Sequence, residues 1–174
     1  MYPAEHVLVA VGPVVGYALW RNHRLPGGGL LLVVLAASLL PDLVDKPLAW
    51  SFGVIPSGRM IAHSFVLAVP LVLFVLLLAH RQERLGYGLG FGWGYLLHLA
   101  ADFSPVLVLG TEYYFFPNMF WPIAAANPDP DPGFGQHLPT LGLVTFLEVA
   151  VLALLVGYVV VEVWQWRAER PRLP

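Results

Sequence analysis

Residues 86–103 read GYGLGFGWGYLLHLAADF. Gly86, Gly90 and Gly94 recur every fourth position, and the same spacing continues into His98 and Asp102. Small residues at that interval let helix backbones approach closely in lipid. A helix turns about 100° per residue, so the stripe drifts by only about 40° per step and carries His98 and Asp102 near the packing face. The stretch therefore predicts a helix inside a bundle, with two ionisable groups pointing inward near one end.

The wider chain fits a lipid setting. Of 174 residues, 58% are hydrophobic and 11% charged, with a mean hydropathy of +0.71, against about 25% charged in a soluble domain. A net charge of −2 from 9 basic and 11 acidic side chains gives no basic field, so nucleic acid is not an expected partner. The chain has no cysteine, which restricts any metal site to histidine and carboxylate ligands. The N-terminal MYPAEHVLVAVG lacks a basic n-region and a small-residue cleavage site, and reads as a retained segment rather than a signal peptide.

Crossing about 30 Å of hydrocarbon takes about 20 apolar residues. Five stretches approach that length: 7–20, 28–44, 60–79, 86–108 and 141–164. The expected fold is an all-α integral membrane protein, one domain over 1–174. It is a bundle of four to five transmembrane helices with a long outer loop, 109–140, between the last two. The first stretch is short and broken by Gly12 and Pro13, which leaves room for a four-span reading with a partly embedded first helix. With five spans, Arg21, Arg24, Arg81, Arg84, Arg167, Arg170 and Arg172, seven of the nine basic residues, share one face, which is then cytoplasmic. The chain is expected in a plasma or inner membrane, with Lys46 and Arg59 on the opposite side. There the aromatic run EYYFFPNMFWP, 112–122, suits the headgroup level, as an anchor or as a lid.

Ionisable residues within spans usually face a bundle interior or a cavity and mark candidate sites. At about 1.5 Å of rise per residue, His63 lies about 5 Å, Asp102 about 6 Å and His98 about 12 Å below the outer surface. Asp42 and Asp45 close the second span and His6 opens the first, at the same side. Histidine and aspartate at i and i+4 share a helix face and can ligate one metal or two adjacent ones. With His6, His63 and the Asp42/Asp45 pair they suffice for one or two zinc ions with a position left for water. The plainer reading of His98 and Asp102 is a structural hydrogen-bonded pair, and the other donors at the same depth count against it.

Four further residues are weaker candidates. Arg59, four before His63, is a candidate phosphate contact or a snorkelling boundary arginine. Glu148 is a candidate extra ligand or general base, or a protonated inter-helix glutamate. Ser64 reads as a helical serine bonded back to its own backbone, and His137 as a loop histidine that could fold over the site.

The order His6, LLPDLVD (39–45), GRMIAHS (58–64) and HLAAD (98–102) resembles the YdjM-like family of membrane-bound metal-dependent hydrolases. These are multi-span proteins grouped with the bacterial zinc-dependent phospholipases C and related nucleases. The resemblance covers roughly the first 105 residues. It matches the family's N-terminal histidine to His6, its Pro-Asp element to Pro41 and Asp42, its Arg…His-Ser element to Arg59, His63 and Ser64, and its HxxxD to His98 and Asp102. Two acids in PDLVD stand three apart where the family usually has two, Gly58 replaces a common histidine and Ala62 a common threonine.

The resemblance implies metal-dependent hydrolysis. The expected function is hydrolysis of a phosphate ester or phosphodiester, of a small molecule or a lipid, at the outer leaflet of the bilayer. His6, Asp42, His63, His98 and Asp102 are the expected metal ligands, with Asp45, Arg59 and Glu148 as candidate catalytic residues. Two rivals stand beside it. One is a metal-free lipid phosphatase similar to phosphatidic-acid phosphatases, whose lysine-arginine-proline element is missing here. The other is a non-catalytic metal-binding membrane protein or carrier, which should place its ligands near the midplane.

Overall fold

Apolar runs separated by glycine, proline and arginine-rich turns form helices. The structure, a computed structural model, describes residues 3–104, 108–111, 113–130, 133, 150, 153–158, 160–162 and 164–165. Among them the chain is all-helical, with six helices and no strand. The four long ones are α1 (Pro3–Asn22), α2 (Gly28–Lys46), α3 (Phe65–Arg81) and α4 (Leu85–Asp102). A π-helical turn, Pro47–Ser51, continues α2, and a 3₁₀ segment spans Tyr113–Phe120.

Three boundaries depart from the sequence reading. Gly12 and Pro13 do not break α1, which runs through both. Pro13 is exposed, and its missing N–H costs the ladder one rung. His63 lies in a turn ahead of α3, because Ser64 caps that helix, its hydroxyl accepting from Val66 N at 3.1 Å. Ser64 is thus a cap and not a mid-helix residue, and its hydroxyl also donates to the Trp121 carbonyl. Finally, α4 ends at Asp102 and not at 108, with Pro105 close behind in the sequence, a residue that cannot continue the ladder.

α4 packs against α1, α2 and α3, and its glycines make this possible on two sides. Gly90 and Gly94 face α2, as the stripe predicted. A Cβ on Gly94 would stand 2.6 Å from the Val34 carbonyl oxygen and 3.1 Å from Ala37 Cβ. Gly88 and Gly92 form a second stripe against α3, with Gly88 2.7 Å from the Ala79 methyl by the same construction. Gly86, expected in the first stripe, meets nothing within 4 Å. Buried Val7, Ala10, Val11, Leu31, Val34 and Leu35 join α1 to α2, and Ala37, Ala68, Val72, Tyr95 and Leu99 join α2, α3 and α4.

Gly94→Ala is expected to destabilise the bundle by about 1–3 kcal/mol, since a backbone carbonyl must move to admit the methyl. Gly86→Ala should stay within about 0.5 kcal/mol. Thermal unfolding of both variants in one detergent compares them, and equal melting temperatures would refute the close approach of α2 and α4.

Among the described residues one helix, Gly28–Ser51, is long and apolar enough to cross a membrane, while Phe65–Arg81 and Ala153–Glu162 are apolar but shorter. At one end of the bundle lie the turns at 23–27 and 82–84. The first turn of α1, the last turns of α2 and α4, and the turn before α3 meet at the other end.

Candidate metal centre

That second end gathers the buried polar groups. His6, Asp45, His63 and His98 are fully buried and Asp42 and Asp102 nearly so. Charge and imidazole out of water cost free energy unless each polar atom finds a partner, so the partners reveal what each residue does.

Asp45 is saturated. One of its oxygens or both accept from the backbone N–H groups of Met60 (2.8 Å), Ala62 (3.0 Å) and His63 (3.2 Å), and Oδ2 lies 2.9 Å from His63 Nδ1. With three backbone N–H groups already pointing at it, this carboxylate is placed to accept, so His63 Nδ1 is the donor. The turn itself is fixed from α4, where the Tyr95 hydroxyl donates to the Ala62 carbonyl at 2.7 Å.

His98 is oriented in the same manner by a different acceptor. Its Nδ1 stands 2.6 Å from the Ser38 carbonyl oxygen, which can only accept, so Nδ1 is again the protonated nitrogen. Both imidazoles, when neutral, therefore present bare Nε2 atoms. These two atoms face each other at 3.1 Å.

Lone pairs so placed repel unless positive charge sits between them. Around them stand Asp42 Oδ1, 3.5 Å from His63 Nε2 and 3.8 Å from His98 Nε2, and Asp102 Oδ2, 3.4 Å from His63 Nε2. One ligand atom from each of Asp42, His63, His98 and Asp102 lies within 4.8 Å of the other three, and this buried group could hold a metal ion. A shared proton would satisfy the two imidazoles alone. It would leave Asp42 Oδ1, which is buried and makes no hydrogen bond, while Oδ2 pairs with the Lys46 ammonium at 2.6 Å. A buried acceptor without a donor calls for an ion or an equivalent partner, so the donor set fits a divalent cation.

His6 adjoins the four. Its ring stacks on His98 with centroids 3.9 Å apart, and its Nε2 is 3.1 Å from Asp102 Oδ1, off the line of a hydrogen bond. Neither of its ring nitrogens has a hydrogen-bond partner. Arg59 reaches the group from its loop and not along a helix face: Nε donates to Asp102 Oδ2 at 3.0 Å, and the guanidinium lies 5.0 Å from the centroid of the Phe115 ring. Its side chain is 22% exposed, so it borders both the cluster and the outside.

The aromatic segment is tied to the loop that carries Arg59. Buried Asn118 donates to the Arg59 carbonyl at 2.9 Å. Asp129 accepts from Trp50 Nε1 (2.6 Å), Ser57 Oγ (2.7 Å) and Gly58 N (2.7 Å). Charged acceptors with several donors are the stronger kind of hydrogen bond. Asn118 and Asp129 were not legible in the sequence, which shows no spacing that links them to 57–59. Lys46 was also missed, although it stands four residues after Asp42, the helical spacing of an ion pair. Glu148 and His137, both named from the sequence, lie outside the described residues, as does much of 131–140.

Comparison with known proteins adds one match. The family model described as YdjM inner membrane protein matches residues 1–168, nearly the whole chain and well past the point where the motifs end. No curated protein and no solved structure matches.

Proposed function

Because the chain belongs to the YdjM inner membrane protein family and buries a group that could hold a metal ion, we propose that it is a zinc-dependent membrane hydrolase. Its substrates are phosphate esters or phosphodiesters, among them lipid headgroups at the outer leaflet. The observation that carries the reading is the pair of imidazole nitrogens held face to face, each by a proton committed elsewhere. Nitrogen donors mixed with carboxylates suit zinc better than magnesium or calcium, which take oxygen shells.

Asp42, His63, His98 and Asp102 would hold the ion, with His6 available as a fifth donor. A divalent ion in such a shell makes a water acidic and polarises a phosphoryl oxygen. Asp45 does neither, since its oxygens are taken by the 60–63 backbone and by His63; it keeps His63 in the tautomer and orientation that ligation requires. Arg59, anchored to Asp102 through Nε, turns its remaining guanidinium N–H groups to a phosphate oxygen.

The four-to-five-span arrangement rests on the exterior. Large apolar side chains such as Trp20, Leu73, Phe74, Leu77 and Leu89 are exposed on the flanks of the helices, a surface suited to lipid. Arg21, Arg24, Arg81 and Arg84 lie at the end away from the metal centre, which supports a cytoplasmic position for that end and a non-cytoplasmic one for the centre.

Hydrolysis of bis(p-nitrophenyl) phosphate, p-nitrophenyl phosphate and phospholipid, by the full chain in nanodiscs, tests the proposal. Activity should require zinc, disappear with a strong chelator and return on adding the metal. Turnover that survives chelation would favour the metal-free phosphatase. Arg59→Ala should lower kcat/KM by about 10–100-fold, the worth of a charged hydrogen bond, and Arg59→Lys should recover part of it. An unchanged Arg59→Ala enzyme would remove Arg59 from substrate binding.

A further inference from the structure

Lys46 holds one oxygen of Asp42. Its ammonium nitrogen stands 2.6 Å from Asp42 Oδ2, with the lysine side chain 12% exposed, and 5.7 Å from the centroid of the Trp50 ring. Trp50 is fixed in turn, by its bond to Asp129 and by Gly58, where a Cβ would approach the ring to 3.0 Å. On the other flank Arg59 Nε occupies Asp102 Oδ2 at 3.0 Å.

Hydrolases with two metals set them about 3.5–4 Å apart, and carboxylates bridge such pairs by giving an oxygen to each ion. Asp42 and Asp102 are the carboxylates that approach the imidazole nitrogens, and Asp45 is spent on His63 and the backbone. A second dication reached through Asp42 Oδ2 would stand beside the Lys46 ammonium, and one reached through Asp102 Oδ2 beside the Arg59 guanidinium. In a buried site like charges repel strongly. The separations of the imidazole nitrogens from each other and from the Asp42 and Asp102 oxygens, 3.1, 3.5, 3.4 and 3.8 Å, also fit one shell: metal bonds of about 2.0–2.2 Å place opposite donors up to about 4.4 Å apart.

We infer that the centre takes a single ion, and that Lys46 is the positioning residue that keeps it so by holding Asp42 Oδ2 away from a second. The inference rests on the metal-binding reading above. Its chemical consequence is that Arg59 supplies, at the phosphate, the positive charge that a second ion would otherwise bring.

Zinc per chain is measured by elemental mass spectrometry on the full chain in nanodiscs, after loading with excess zinc and desalting. Paramagnetic resonance of manganese-loaded samples gives the second readout. One zinc per chain and the six-line spectrum of an isolated ion are expected for the native protein and for Lys46→Arg. Lys46→Met should rise above one zinc, toward two, and show an exchange-coupled manganese spectrum; Lys46→Gln replaces it if the methionine variant does not fold. Two zinc ions in the native chain overturn the single-ion centre. A neutral Lys46 variant that stays at one overturns the role of Lys46. A native chain that keeps no ion under any loading overturns both, together with the metal reading on which they rest.

Discussion

The double variant His98→Ala/Asp102→Ala is expected to lose its metal, with affinity down by more than about 100-fold and hydrolysis reduced to background. Two donors leave at once. Removing a partner that merely orients a ligand already costs about 10–100-fold in affinity, so the loss of two ligands exceeds that. The fold should survive, because the α2–α4 contact depends on Gly90 and Gly94 and on Val34 and Ala37 rather than on the polar end. Circular dichroism and gel-filtration profiles check the fold, and elemental analysis reads the metal. Undiminished metal in a folded double variant would place the ion elsewhere.

Asp45→Ala should give the largest loss of stability, about 3–5 kcal/mol. It leaves three backbone N–H groups and His63 Nδ1 buried without an acceptor. Each such orphan costs about 1–3 kcal/mol, and a broken buried pair about 3–5. Asp45→Asn is milder, since one oxygen still accepts, but its amide cannot replace the carboxylate at all four donors. It should lower metal affinity by about 10–100-fold while the protein still folds. Denaturant titration of the two variants beside the native chain reads the first effect, and metal competition the second. A catalytic base at this position would behave differently: Asp45→Asn would keep both stability and metal and lose turnover alone.

The four residues of the buried group that could hold a metal ion stood out in the sequence because histidine and aspartate within apolar runs are costly and few. The division of labour between Asp42 and Asp45 was not legible. Three residues apart on one helix, both point to the same region, and only the backbone of 60–63, folded across Asp45, separates them. That backbone was hidden by composition: GRMIAHS runs straight into the apolar α3, and the boundary depends on Ser64 acting as a cap. The glycine pattern of α4 shows a similar limit. Reading one four-residue stripe found the α2 contact at Gly90 and Gly94 but passed over Gly88 and Gly92, which give α3 its own close approach. Lys46 could have been found from its spacing to Asp42. The ties of Asn118 and Asp129 to the Arg59 loop join segments some sixty to seventy residues apart, and no local pattern encodes such pairing.

X-ray absorption at the zinc edge of the loaded full chain tests the centre most directly. A first shell of nitrogen and oxygen at about 2.0–2.2 Å is expected, with outer-shell scattering from two or three imidazoles and a clear loss of imidazole scattering in His63→Ala. A shell without imidazole scattering, or one unchanged in His63→Ala, would contradict it.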